Sequence, residues 1–278
     1  GAVVTLWVLG TALPLVVFLP SLSPRLRDLS WPAARLALSV GLRYHAGMAA
    51  LFLLWRVDIF LLNSRVSTAD LGLYSLAVTL AEMTYLLTDS VASAVLPRQV
   101  TLSLQESSVF TARVVRINLV IATLVIASLS IVMPVAVPLI FGGPYRGTVS
   151  PLLLLGPGIV ALATARTVMP YLVRLNRPWL VSALAVCALV ANVGINLLLI
   201  PPLGIQGASL ASTVAYGVLA VCCLGWLVRS STVTWREVVP RLADLRDPIV
   251  AVARRLAIAL WRYVQQGVLP VGALMKAV

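Results

Sequence analysis

Asp and Glu together number only nine in a chain of 278 residues that is 60% hydrophobic and 11% charged. Two of them, Glu82 and Asp89, lie inside Leu71–Pro97, a stretch otherwise apolar enough to cross a membrane. On a helix of about 3.6 residues per turn they share one face, roughly 10 Å apart along the axis. Ser75, Thr79 and Ser93 extend that face into a polar stripe. Carboxylates in hydrocarbon are expensive, so they normally face a bundle interior or a wet cavity. A buried carboxylate can carry a proton or exchange a coupling cation, because desolvation raises its affinity for protons.

Arg56 and Arg166 are the matching cations within apolar spans. A rise of about 1.5 Å per residue places Arg56 about 12 Å and Glu82 about 18 Å from the outer ends of their helices. The same ruler places Asp89 and Arg166 at about 28 and 24 Å. Two ion pairs are therefore expected, Arg56 with Glu82 and Asp89 with Arg166. Such pairs either glue helices together or line a route for a charged substrate or coupling ion. A guanidinium fork suits phosphate, since it can bind two oxygens at once. Asp58 falls near the outer interface and reads as a helix-end or loop-contacting charge. Asn192 and Asn196, four residues apart, read as helix-to-helix hydrogen bonders, with a sugar contact as the alternative. His45, the one histidine, reads as interfacial, and Cys187, Cys222 and Cys223 read as small core residues without metal or disulfide spacing.

The elements that must position these groups follow from membrane thickness. A hydrocarbon core of about 30 Å needs about 20 apolar residues per helix. Seven spans satisfy this: 2–20, 39–63, 70–97, 114–141, 149–173, 179–200 and 206–228. The expected fold is an all-α, polytopic transmembrane bundle. Residues 21–38 read as a linker with a short amphipathic helix on the membrane surface, and 98–113 as a solvated turn. Residues 229–278 read as a basic tail, with a second amphipathic helix over 249–266. Pro134, Pro138, Pro151, Pro157 and Pro170 mark sites of helix packing or of hinges.

The arginines alternate between loops. Arg25, Arg27, Arg35 and Arg43, then Arg98, Arg113 and Arg116, then Arg174 and Arg177 share one side with the tail, and the other side holds only Arg65 and Arg146. The positive-inside rule places the linker, 98–113 and the C-terminus in the cytoplasm. It also accounts for the net charge of +12 without nucleic acid, as the arginines are not interleaved with exposed aromatics in one patch. No GxSxG, HExxH or P-loop occurs, and a short-looped chain has no room for a catalytic domain, so neither an enzyme nor a cofactor is expected. The chain opens on Gly1 inside an apolar run and reads as a fragment.

The run WRVDIFLLNSRVSTADLGLYSLAVTLAEMTYLLTDSVASAVLPR resembles the centre of the Wzx-type polysaccharide flippases of the multidrug/oligosaccharidyl-lipid/polysaccharide exporter superfamily. Arg56 and Asp58, Gly72 and Tyr74, Glu82 and Pro97 carry the likeness. PLIFGGPYRGTVSPLLLLGPG and NVGINLLLIPPLGIQGASLAST, with Asn192, Asn196, Ile200, Pro201, Gly204, Gly207 and Ala208, extend it over about residues 1–235. The resemblance implies two six-helix lobes around a cavity. Residues 1–20 would be the last helix of the first lobe, 21–38 the inter-lobe linker and 39–228 the second lobe. It implies translocation of undecaprenyl-diphosphate-linked oligosaccharide across the bacterial inner membrane, as in lipopolysaccharide O-antigen assembly. Arg56, Glu82, Asp89, Arg166, Ser75, Thr79, Asn192 and Asn196 would line the substrate or ion pathway. Partners would be the lipid-linked oligosaccharide, membrane lipids and polysaccharide assembly proteins, and a coupling cation is admitted. A drug or cation antiporter of the same superfamily and a non-transporting structural membrane protein stand as alternatives.

Overall fold

The computed structural model describes residues 30–175 and 177–241. The expected span over 2–20, most of the linker and the amphipathic helix over 249–266 lie outside the described residues. Two compact units are present, Gly1–Ala46 and Gly47–Val278. The ion pairs, buried polar networks and cavity discussed below belong to the second.

Among the described residues the secondary structure is entirely helical. The elements are α1 (Trp31–Asn63), α2 (Thr68–Met83), α3 (Tyr85–Thr101), α4 (Leu104–Phe141), a short 3-10 helix (Gly143–Thr148), α5 (Val149–Arg174), α6 (Pro178–Ser230) and the single turn α7 (Trp235–Val238). Four helical stretches are long and apolar enough to cross a membrane, or five if the bent pair α2–α3 is one span. Large apolar side chains point outward on them: Ile131, Leu139 and Ile140 of α4 and Leu198 of α6 are all more than 70% exposed. A soluble domain would not display such a surface, whereas lipid tails are a good solvent for it.

Several sequence expectations are corrected here. Residues 31–38 do not form a separate surface helix, because α1 runs on without a break to Asn63. Residues 98–113 are not a solvated turn. α3 continues to Thr101, and α4 begins at Leu104 behind a capping box in which the Ser103 hydroxyl accepts from the Glu106 N–H and the Glu106 carboxylate accepts from the Ser103 N–H. Ser-x-x-Glu is the sequence signature of such a start, and Ser103 to Glu106 displays it.

Of the two readings of the interior prolines, packing positions or hinges, the continuous helices fit packing. α4 passes through Pro134 and Pro138, and α5 through Pro157 and Pro170. The breaks fall elsewhere. α2 and α3 meet at Thr84 with a bend of 40°. There the Thr84 hydroxyl donates to the Ala81 carbonyl at 2.6 Å, a back-bond that draws on the helix's own ladder and bends it.

α6 reverses at Gly204, whose φ of 56° and ψ of −130° fall where a Cβ is strongly disfavoured. The limbs 178–203 and 205–230 then lie side by side, so that the Asn192 amide donates to the Ser212 hydroxyl at 3.3 Å across twenty residues. Those two positions would be about 30 Å apart on a straight helix.

Two apolar clusters hold the second unit. Leu54, Leu162, Tyr171 and Leu219 centre the first, and Leu62, Tyr74, Leu155, Ile159 and Ile200 the second. Tyr85, at the start of α3, packs against both. Of the cysteines only Cys223 is a core residue. Cys222 is half-buried and Cys187 exposed, which corrects the expectation for that residue. His45 is exposed.

Candidate functional site

Residues two apart on a helix point about 200° away from each other. α1 uses this to split Arg56 from Asp58, sending one to a half-open face and the other into the interior.

On the open face Arg56 meets Glu82 of α2 at 3.2 Å, and Arg166 of α5 meets Asp89 of α3 at 2.8 Å. The two pairings expected from helix depth are both present. All four side chains stay partly accessible, at 38% and 30% for the first pair and 25% and 43% for the second.

Arg166 is seated by aromatic faces as well. Its guanidinium lies 4.7 Å from the Trp55 ring centroid and 5.5 Å from that of Tyr85. Each such contact holds a cation without using its hydrogen-bond donors. Tyr85 also lies against Trp55, with ring centroids 6.4 Å apart, so the two rings form one seat. Trp55 and Tyr85 were not picked out from the sequence. Their signal was slight: one precedes Arg56 directly, and the other follows Glu82 by three residues, one helical turn.

Of the remaining stripe residues, Ser75 and Thr79 lie on α2 and Ser93 on α3. Thr79 is exposed and Ser75 half-buried, each donating its hydroxyl to the carbonyl one turn earlier, Thr79 to Ser75 and Ser75 to Leu71. The bend at Thr84 divides the stripe, so Glu82 and Asp89 belong to differently directed helices, each with its own arginine.

Asp58 is the main correction. It is not a peripheral charge, being 2% exposed. Its carboxylate accepts from the Tyr74 hydroxyl, from the Ser212 hydroxyl at 3.2 Å and from the Ile59 N–H at 2.8 Å. The length ruler put Asp58 near the end of a span, but α2 and the second limb of α6 close over it.

Asn192 and Asn196 join this interior network and do not reach the open face. Both are fully buried. Asn192 donates to Ser212, and Asn196 donates to the Asn192 side-chain oxygen at 2.6 Å. The Asn196 Oδ1 has no hydrogen-bond partner among the described residues. Asp58, Ser212, Asn192 and Asn196 thus form one chain of hydrogen bonds that ties α1 to both limbs of α6. Among the described residues no cluster of three His, Cys, Asp or Glu side chains is placed to hold a metal.

A second polar set locks α3 to α4 and α5 at the other end. The buried Gln99 amide donates to Thr111 at 2.9 Å, and Asn118 donates to Thr167 at 2.8 Å. Arg174 donates to the carbonyls of Gln99 and Leu102, capping the C-terminal end of α3 as a cation should.

Comparison with protein-family models, curated proteins and solved structures returns no match. The class that fold and composition define is a protein whose described residues are all helical in secondary structure, with several apolar helices long enough to cross a membrane.

Proposed function

We propose that the intact protein carries an undecaprenyl-diphosphate-linked oligosaccharide from the inner to the outer leaflet of a bacterial inner membrane, by alternating access. In this reading the chain supplies the last helix of a first lobe and the six spans of a second, α2–α3 counting as one span and α6 as two, with the C-terminus in the cytoplasm. The observation that carries it is the pair of arginine–carboxylate contacts left half-open on one face of otherwise apolar helices.

A diphosphate arriving at that face would exchange for Glu82 and Asp89 on the arginines, because guanidinium–phosphate contacts are charge-assisted and bidentate. The aromatic faces under Arg166 keep it in place while its partner changes. A coupling cation would compete for the displaced acids. Ser75 and Thr79 border the path, and Asn192 and Asn196 act from behind it, fixing the α6 limbs. The antiporter alternative fits less well: the aromatic surfaces that would attract a cationic drug already hold Arg166.

Complementation of a flippase-deficient strain with full-length protein tests the reading. Arg166→Ala and Glu82→Gln are expected to lose most activity at normal membrane levels. Full activity in both would remove the mechanism.

A further inference from the structure

A cavity of about 830 Å³ opens away from the ion pairs, where the end of α3, the first turns of α4 and the segment around α7 meet. Four arginines line it, Arg98, Arg113, Arg116 and Arg241, against two acids, Glu106 and Glu237. Both acids are already engaged as helix caps. Glu106 accepts from the Ser103 N–H and hydroxyl at 3.1 and 2.7 Å, and Glu237 from those of Thr234 at 2.7 and 3.2 Å. Two of the arginines are held in place by contacts with their neighbours. Arg98 stacks over the Phe110 ring at 5.2 Å, and Arg116 donates to the Glu237 carbonyl, tying α7 to α4. Among the described residues the lining therefore carries more positive than negative charge, although it is assembled from three separate stretches of chain.

Depth says what kind of anion meets it. α4 is one helix, and Phe141 closes its far end. From Phe141 to Arg116 is about 38 Å at a rise of about 1.5 Å per residue. With Phe141 at one edge of a hydrocarbon core of about 30 Å, Arg116 lies at the headgroup layer of the opposite leaflet. Leu104 and Val109 beside the cavity are half-exposed apolar residues, suited to the first carbons of an acyl chain. A soluble phosphate would use the arginines and leave this apolar border unused.

We infer that this cavity is a binding site for the phosphate headgroup of an anionic phospholipid, separate from the translocation path. Basic pockets between helices at the cytoplasmic face bind such headgroups through charge and hydrogen bonds together. The occupant locks α7 and the end of α3 onto α4 from the membrane side. The inference rests on the membrane placement proposed above but not on transport, and its readout is binding alone.

The test uses the purified full chain in mixed micelles, titrated with phosphatidylglycerol, phosphatidylcholine or inorganic phosphate, with retention read by native mass spectrometry and stability by thermal unfolding. Phosphatidylglycerol is expected to be retained at least tenfold better than phosphatidylcholine and to raise the unfolding midpoint, with inorganic phosphate inert at millimolar concentration. Arg113→Gln, an exposed helix-surface change, is expected to weaken phosphatidylglycerol retention about fivefold, the share of one arginine near an anionic surface. Arg146→Gln, in the 3-10 helix beyond the far end of α4, leaves it unchanged. Equal retention of the two lipids, an unaffected Arg113→Gln variant, or inorganic phosphate reproducing the stabilisation would each overturn the inference.

Discussion

Substituting Gly158 by alanine tests how closely α5, the helix that carries Arg166, is pressed onto α6. A Cβ on Gly158 would lie 2.7 Å from both the Cα and the hydroxyl oxygen of Thr213. Carbon atoms pack at about 3.5–4.0 Å, so the two helices would have to part by about 1 Å. The obstacle is backbone, which cannot rotate away as a side-chain tip can. Overpacking of this kind costs about 1–3 kcal/mol. Parting also stretches the hydrogen bond in which the Thr213 hydroxyl donates to the Leu154 carbonyl at 2.6 Å, a contribution of about 0.5–1.5 kcal/mol. Alanine returns about 0.5–1 kcal/mol through its better helix propensity. The expected net loss is about 1–3 kcal/mol. The control is Gly217→Ala on the same limb of α6 as Thr213, where a Cβ meets nothing within 4 Å. That change is expected to be neutral or to stabilise by up to about 1 kcal/mol. Unfolding of both variants by SDS titration in mixed micelles gives the two numbers side by side. If Gly158→Ala is as stable as Gly217→Ala, the close approach of α5 and α6 at Thr213 is not what the packing depends on.

Three further outcomes are expected. A double-mutant cycle on Asp89→Asn and Arg166→Gln should show a favourable coupling of about 1–2 kcal/mol: the Coulomb attraction at 2.8 Å is about 6 kcal/mol at an effective dielectric of about 20, but the exposure of both partners screens most of it. A coupling near zero would mean that aromatic contacts alone seat Arg166. In a background without Cys187, Cys222 and Cys223, Thr79→Cys should react with a membrane-impermeant thiol reagent in vesicles and Asn192→Cys should not, since one position is exposed and the other fully buried; equal labelling of both would contradict the division between open face and interior network. The hydrogen bonds from Ser103 hold the Glu106 carboxyl below the usual carboxylate range. A group depressed in the folded state stabilises above its unfolded pKa, and that support disappears as pH falls through the folded value. Amide protection over the first turn of α4, corrected for intrinsic exchange, should therefore drop on acidification below about pH 4, and Ser103→Ala should show the lower protection already at neutral pH.

Much of the site was legible in the sequence because a helix in a membrane has few freedoms. A rise of about 1.5 Å per residue converts residue number into depth, and an unpaired charge in hydrocarbon is costly. Those two facts were enough to pair Arg56 with Glu82 and Arg166 with Asp89, as the structure does. The capping box at Ser103 is equally readable as Ser-x-x-Glu, but the polarity of residues 103–108 ahead of the apolar run suggests a solvated turn where the helix has already begun. Pro134, Pro138, Pro157 and Pro170 read as packing positions or as hinges, and their helices run through them, while the bends come at Thr84 and at Gly204, two residues after Pro202.

The sequence by itself determined the helical class, the apolar helices long enough to cross a membrane and the height of each charge along its own axis. Tertiary structure alone decided what each charge faces. Asp58 stands two residues from Arg56, and nothing in that spacing says which of them is enclosed. The answer came from Tyr74 on α2 and Ser212 on α6 converging on one carboxylate oxygen from sites 16 and 154 residues away. Depth is a property of one helix, whereas azimuth has meaning only once the neighbouring helices have packed around it.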